Sequence, residues 1–335
     1  TFNRVFLIAR AVWSLALVSC SNDDSGQTTP VNETAKTYVS LSISLPKSSS
    51  AATRALPGDY NENGSWAGRD VIKSITIYML GENSVTKTEY TDQLSIDESG
   101  QIWPVIVAQS QPGNVKAFVV INNNSTLTDI LDSKLNATAQ EFTGLLSEPV
   151  EALATNLANS ENSKDVILMT NLKLPEDVNI EANVNEAAAR RGENKISMSV
   201  ERMTSRGIVT IKESAKTQEI KVKDARGNEI SKIQIKEVKY GVGQSNNAVY
   251  PIKKADFSTP SPTDRLDLDY SGLTELFELK SIASTANADV LTALEAEESA
   301  KYVLPLVRQD YLKGNTTFFE VRATFDVVGD LADTT

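Results

Sequence analysis

The sequence predicts a mainly β protein, built as two tandem antiparallel β-sandwiches with a few helices. Apolar residues recur at period two in most of the patterned segments, as in a strand with one buried face. Clusters of Gly, Pro, Asn, Asp and Ser separate those segments, as turns require. The length of 335 residues suggests two domains, at roughly 100–200 residues each.

The first segment is not part of either domain. Arg4 and Arg10 precede a short apolar stretch ending in Leu17-Val18-Ser19-Cys20. A basic start, a brief hydrophobic core and small residues before a cut describe a secretory signal peptide, residues 1–20. The stretch falls short of the ~20 apolar residues of a membrane-spanning helix. Leu-Val-Ser-Cys resembles a bacterial lipobox, in which the cysteine is acylated and becomes the new N-terminus. The competing reading of Cys20, a buried core cysteine, lacks any surrounding globular period. Ser21 to Pro30 is polar and acidic, the composition of a flexible tether.

Tyr38–Leu45 is the first strand, with Val39, Leu41, Ile43 and Leu45 on one face and Pro46 as its stop. A loop of small residues follows, Ser48 to Gly58, carrying Arg54 and Ala55. Strands are expected at Ile72–Leu80 and Val115–Ile121, the latter ending in Asn122-Asn123-Asn124. Leu127 to Leu146 has a helical period, and Val166–Leu174 reads as a strand. The polar, Ala-rich stretch 186–194 marks the expected boundary between domains 55–194 and 195–335. Alternation resumes at Ile196, Met198 and Val200, then at Ile208, Val209 and Ile211. Asp224-Ala225-Arg226-Gly227-Asn228 between apolar runs is a hairpin signal. A helix is expected at Asp289–Lys301, and a last strand at Phe319, Val321, Ala323, Phe325 and Val327.

Composition removes several function classes. Histidine is absent, which takes away the usual general base, the Ser-His-Asp triad and the commonest zinc ligand. No metal motif and no paired carboxylates stand out, so the chain reads as a non-enzyme without a cofactor, apart from lipid on Cys20. The net charge of −11 repels phosphate backbones and argues against a nucleic-acid partner. Aromatic residues are only 6%, and outside the leader the tryptophans are Trp66 and Trp103, poor material for a stacking platform. Arg202 and Arg206 read as a solvated strand edge.

Several blocks, in order, resemble the FimA/Mfa-type fimbrillins, the shaft subunits of type V pili in Bacteroidales, and most nearly the minor fimbrillins. They are Leu17-Val18-Ser19-Cys20, Tyr38–Pro46, Ser65-Trp66-Ala67-Gly68-Arg69-Asp70 running into Ile75–Met79, Val200-Glu201-Arg202 with Arg206-Gly207-Ile208-Val209, and Tyr311–Thr316 leading into Val321–Phe325. The resemblance implies transthyretin-like sandwiches and export as a lipoprotein of the outer membrane. It further implies cleavage after an arginine, here Arg54, leaving Ala55 as the mature N-terminus. The tether and propeptide strand, residues 21–54, would then depart with the lipid, and a strand from a neighbouring subunit would take the place of Val39–Leu45. Exposed small-residue loops are where proteolysis concentrates, which suits Arg54 independently; an ordinary surface arginine is the alternative. The implied partners are other pilin subunits, anchor and tip proteins, a maturation protease, and host or bacterial surface ligands in adhesion and biofilm formation. The competing function is a surface lipoprotein that does not polymerise, either a glycan- or host-protein-binding adhesin or a pilus anchor or tip component. The family runs on past the Ala323-Thr324-Phe325 strand, so the second sandwich is expected to be incomplete here and to supply no donor strand.

Overall fold

The protein is described from a computed structural model covering residues 36–45, 71–91, 94–96, 102–161, 164–207, 209–256, 258–260, 274–275, 277–279, 301–306 and 316–329. Cys20, Arg54, Ala55 and Trp66 lie outside these residues. So does the helix expected at Asp289–Lys301, except Lys301, which opens a strand.

The chain is mainly β. Strand β1 (Thr37–Ser44) is followed by β2 (Ile75–Leu80), β3 (Val85–Tyr90), the short β4 (Ser95–Ile96) and β5 (Ile102–Trp103), β6 (Ile106–Ser110) and β7 (Gly113–Ile121). Helices α1 (Ser125–Asp132) and α2 (Ala139–Leu145) come next, then β8 (Val150–Glu151), α3 (Ala154–Leu157), β9 (Ala158–Glu161), β10 (Lys164–Ile167), β11 (Met169–Asn171), β12 (Val178–Ile180), α4 (Glu186–Arg190) and β13 (Lys195–Arg202). The remainder holds β14 (Ser205–Gly207), β15 (Thr210–Lys212), α5 (Glu213–Lys216), β16 (Ile220–Lys223), β17 (Glu229–Gly243), β18 (Ala248–Val249), β19 (Thr274–Glu275), β20 (Phe277–Leu279), β21 (Lys301–Val303) and β22 (Phe318–Val327).

The largest sheet runs β3-β2-β7-β11-β13-β1-β6, with β12 added on β7. Its two ends meet. Tyr90 donates its hydroxyl to the Val107 carbonyl, and the Thr86 hydroxyl donates to the Gln109 carbonyl at 3.0 Å. The sheet therefore curls around an apolar interior of Val39, Leu41, Ile43, Ile75, Ile77, Met79, Ile106, Val119, Ile121 and Val200. The other face of β2 and β7 is covered by the helices. Tyr78 and Phe118 pack on Phe142, with ring centroids 5.2 and 6.1 Å apart, beside Leu127, Leu131 and Leu146. All six residues of β2 are consequently buried, which explains its nearly continuous apolar sequence.

Several expectations are refined. The helical period 127–146 is two helices, because Thr138 and Glu141 form a capping box that starts a second one. The strand expected at Val166–Leu174 breaks at Leu168, whose N–H turns to the Leu157 carbonyl at 2.8 Å. It ends at Asn171, whose side chain then takes over the ladder. Its Oδ1 accepts from Val119 N–H (2.8 Å) and its Nδ2 donates to the Ala117 carbonyl (3.0 Å). The sheet is mixed rather than antiparallel throughout. β1 runs parallel to β13, a pairing open to strands so far apart in sequence that no hairpin joins them. The strand read as opening the second domain, β13, is a member of this first sheet.

Beyond β13 the chief element is a four-stranded sheet, β16-β17-β19 with β22 also on β17. The hairpin read at Asp224–Asn228 is present: Asp224 N–H donates to the Asn228 carbonyl at 2.9 Å, and Gly227 takes φ +87°, a region open to glycine. β22 matches the last expected strand but leaves Phe319, Val321, Phe325 and Val327 exposed, Val327 by 63%.

Candidate functional site

The residues singled out on β1 come together in one slot. β1 is an interior strand with five register pairs to β13 on one side and five to β6 on the other. Alternation turns Val39, Leu41, Ile43 and Leu45 into the sheet's interior, where none is more than 4% exposed. The opposite face is also covered: Tyr38 packs on Val107, Val184, Ala188 and Ala189, the last three held by α4 and the turn before it. Asn185 caps α4 by accepting from Ala188 N–H at 2.9 Å, which fixes that lid in place.

The start of β1 is tied down by bonds that do not belong to the ladder. Thr37 donates its hydroxyl to the Glu181 carbonyl at 2.8 Å and accepts from Val184 N–H at 3.2 Å. Tyr38 N–H donates to the Val184 carbonyl at 3.0 Å, and Asn194 Nδ2 donates to the Tyr38 carbonyl at 3.2 Å. Asn194 takes φ +51°, a backbone that asparagine tolerates better than most residues. The polar stretch read as a domain boundary is therefore, in part, the clasp over β1.

At the Ser44 end the slot opens into a recess of about 300 Å³ walled by Leu172, Leu174, Pro175, Val178, Ile196 and Met198. It lies where β11 has left the sheet after Asn171. Leu172 and Leu174 are 46% and 47% exposed at its mouth.

A second cavity, about 320 Å³, is lined by Glu201, Arg202, Tyr250, Lys253, Ser258 and Thr259 above Met203 and Val249. Burial raises the Glu201 carboxyl above its ordinary pKa, although Lys253 lies 3.2 Å away and opposes that shift. Arg206, read from sequence as part of a solvated strand edge, is instead buried: its side chain is 8% exposed and faces Asp165 at 3.6 Å. Nothing in the local pattern signals this, because the partner lies 41 residues earlier in the chain. Trp103 belongs to β5. Among the described residues no group of three or more acidic or Cys side chains could hold a metal, and no helix is long and apolar enough to cross a membrane.

No protein-family model matches the chain. Two curated proteins, both minor fimbrium subunit Mfa1 of Porphyromonas gingivalis, are 26% identical over 342 residues, covering 96% of this chain. The chain spans 66% of the length of these relatives. Among solved structures, the tip fimbrial protein Mfa3 of Porphyromonas gingivalis aligns with a TM-score of 0.41 at 12% identity, covering 88% of this chain and 81% of that one. A FimA fimbrillin from the same organism aligns with a TM-score of 0.39 at 13% identity, covering 85% and 80%. The sequence similarity, over 96% of this chain, is to minor fimbrium subunits, in line with the resemblance to FimA/Mfa-type fimbrillins.

Proposed function

We propose that this protein is a structural subunit of a cell-surface fimbria, stored as a lipoprotein precursor and polymerised by strand exchange. The observation that carries the reading is β1: an interior strand, with four apolar side chains in the core, at the end of a segment that a single cut can detach. Cys20 receives the lipid at the outer membrane, and cleavage between Arg54 and Ala55 frees residues 21–54. Departure of β1 leaves two facing strand edges, β6 and β13, and an apolar trough between them. Unpaired edges of this kind capture an extended segment by β-augmentation. If that segment comes from the next subunit, the contact is head-to-tail and does not close on itself, which yields a filament. The partners are then neighbouring subunits, anchor and tip proteins and the processing protease, and the assembled fimbria acts outside the cell in adhesion and biofilm formation.

The 320 Å³ cavity beside Glu201 and Lys253 favours the second reading, a surface lipoprotein that binds a ligand without polymerising. The two readings differ in the fate of the N-terminus. Mass spectrometry of protein sheared from the cell surface should find a chain beginning at Ala55, with the acyl mass on Cys20 confined to the membrane-held precursor. Sheared protein that still carries residues 21–54 and the lipid would favour the non-polymerising lipoprotein.

A further inference from the structure

Between the first sheet and the β17–β22 sheet, the short β9–β10 and β14–β21 ladders bring together buried and half-buried polar side chains that the strand-exchange reading leaves unused. Asp165 on β10, Arg206 on β14 and Tyr302 on β21 meet there. The side chains of Asp165 and Arg206 are each 8% exposed, with Arg206 Nε 3.6 Å from Asp165 Oδ1. The Tyr302 hydroxyl donates to the same oxygen at 2.7 Å, across 137 residues of sequence. Burial and that bond both push the Tyr302 hydroxyl pKa upward, so it stays a donor.

The cluster reaches both sheets. The main-chain carbonyl of Asp165 accepts from Val71 N–H at 2.9 Å, just ahead of β2. On the other side lies Tyr240 of β17, whose hydroxyl pKa burial pushes up to about 12, with the Arg206 charge opposing that shift. Tyr240 packs edge-on against Phe319 of β22, with centroids 5.9 Å apart. Gly207, the next residue of β14, lets Phe319 come so near that a Cβ there would sit 2.6 Å from the ring. β14 thus presents a cation to β10, which leads within one residue into β11 of the first sheet, and a bare backbone to Phe319 of the second.

Other contacts at the join specify direction less. Among the described residues, no strand of the first sheet pairs with a strand of the β17 sheet; the ladders nearby are short, the two-residue pair of β8 and β18 and the three-residue pair of β14 and β21, in which Arg206 lies opposite Tyr302. The apolar contacts of Met203, Val249, Ile252 and Leu304 tolerate sliding, because dispersion and water exclusion are not directional. A buried ion pair with a shared hydrogen bond is directional, while its desolvation cost leaves little net stability.

We infer that the Asp165–Arg206–Tyr302 cluster is an orientation lock, which sets the angle between the two sheets and contributes little net stability. The inference stands apart from strand exchange: it concerns the shape of one subunit, whatever that subunit assembles with.

The test uses the full chain with Cys20→Ser, spin-labelled through Asn83→Cys in the β2–β3 turn and Arg226→Cys in the β16–β17 hairpin. Both sites are exposed. Distances between the labels are measured by pulsed electron spin resonance. With the lock intact, one narrow distance distribution is expected. The combined change Asp165→Leu, Arg206→Met and Tyr302→Phe should keep Tm within a few degrees and at least double the width of that distribution. Tyr302→Phe alone, which leaves the ion pair in place, should fold and broaden it less. An unchanged width in both variants would overturn the inference. So would a triple variant that unfolds while Tyr302→Phe leaves the width unaltered, because the cluster would then supply stability and no orientation.

Discussion

In the uncut chain, Ile43→Ala is expected to lower the free energy of unfolding by about 2–5 kcal/mol, the range for truncating a fully buried aliphatic side chain. Ile43 is 1% exposed, lies opposite Met198 of β13 just past the last β6 pair at Leu41, and has the interior of the first sheet beneath it. Truncation leaves a void that β1 and β13 cannot close, because the ladder between them fixes the backbone on either side of Ile43. Val328→Ala, at a residue 39% exposed past the end of β22, should change stability by under about 0.5 kcal/mol. Urea denaturation of the two variants beside the parent gives the comparison. Equal midpoints for Ile43→Ala and the parent would mean that β1 does not fill the slot in solution.

The second large effect concerns assembly. Arg54→Ala should abolish filament formation and leave a lipid-bearing, membrane-held monomer. Leu45 and Val71 are joined by 25 intervening residues, so an uncut β1 is held beside its own slot. A tethered segment competes at an effective concentration on the order of millimolar. Another subunit's strand, present at far lower concentration, cannot displace it while the tether lasts. Cutting the chain turns β1 into a dissociable ligand and gives the incoming strand its opportunity. Electron microscopy of surface-sheared material, with mass measurement of the cell-bound protein, checks both halves. Filaments of normal length and number from Arg54→Ala cells would rule out cleavage as the gate.

How much of this was readable from sequence depends on how local each cause is. The buried face of β1 and the position of β22 follow from period-two alternation, and the turn at Asp224–Asn228 follows from its own residues, so these were legible; that the apolar residues of β22 stay exposed was not. The break between α1 and α2 was partly legible, since Thr138 and Glu141 are spaced as a capping box inside a helical period that hides them. Asn171 was not legible. An asparagine at a strand end reads as a turn residue, and only the neighbouring β7 shows that its amide replaces missing ladder bonds. Arg206 was misread for a similar reason: its burial depends on Asp165 and Tyr302, which sequence spacing does not bring together. The parallel pairing of β1 with β13 is the most distant cause, because alternation fixes which face is buried and says nothing about the neighbouring strand or its direction.

On the strand-exchange proposal, β1 occupies a slot that another extended strand can fill. Four buried apolar side chains, at roughly 1.5–3 kcal/mol each, make an empty slot costly and a matching strand favourable. The direct measurement takes protein cut after Arg54 and freed of the released segment, then adds a synthetic peptide spanning Tyr38–Leu45. That peptide should bind and raise Tm, while the same peptide with Leu41→Asp and Ile43→Asp, which would bury unpaired carboxylates, should do neither. Identical behaviour of the two peptides would contradict the account.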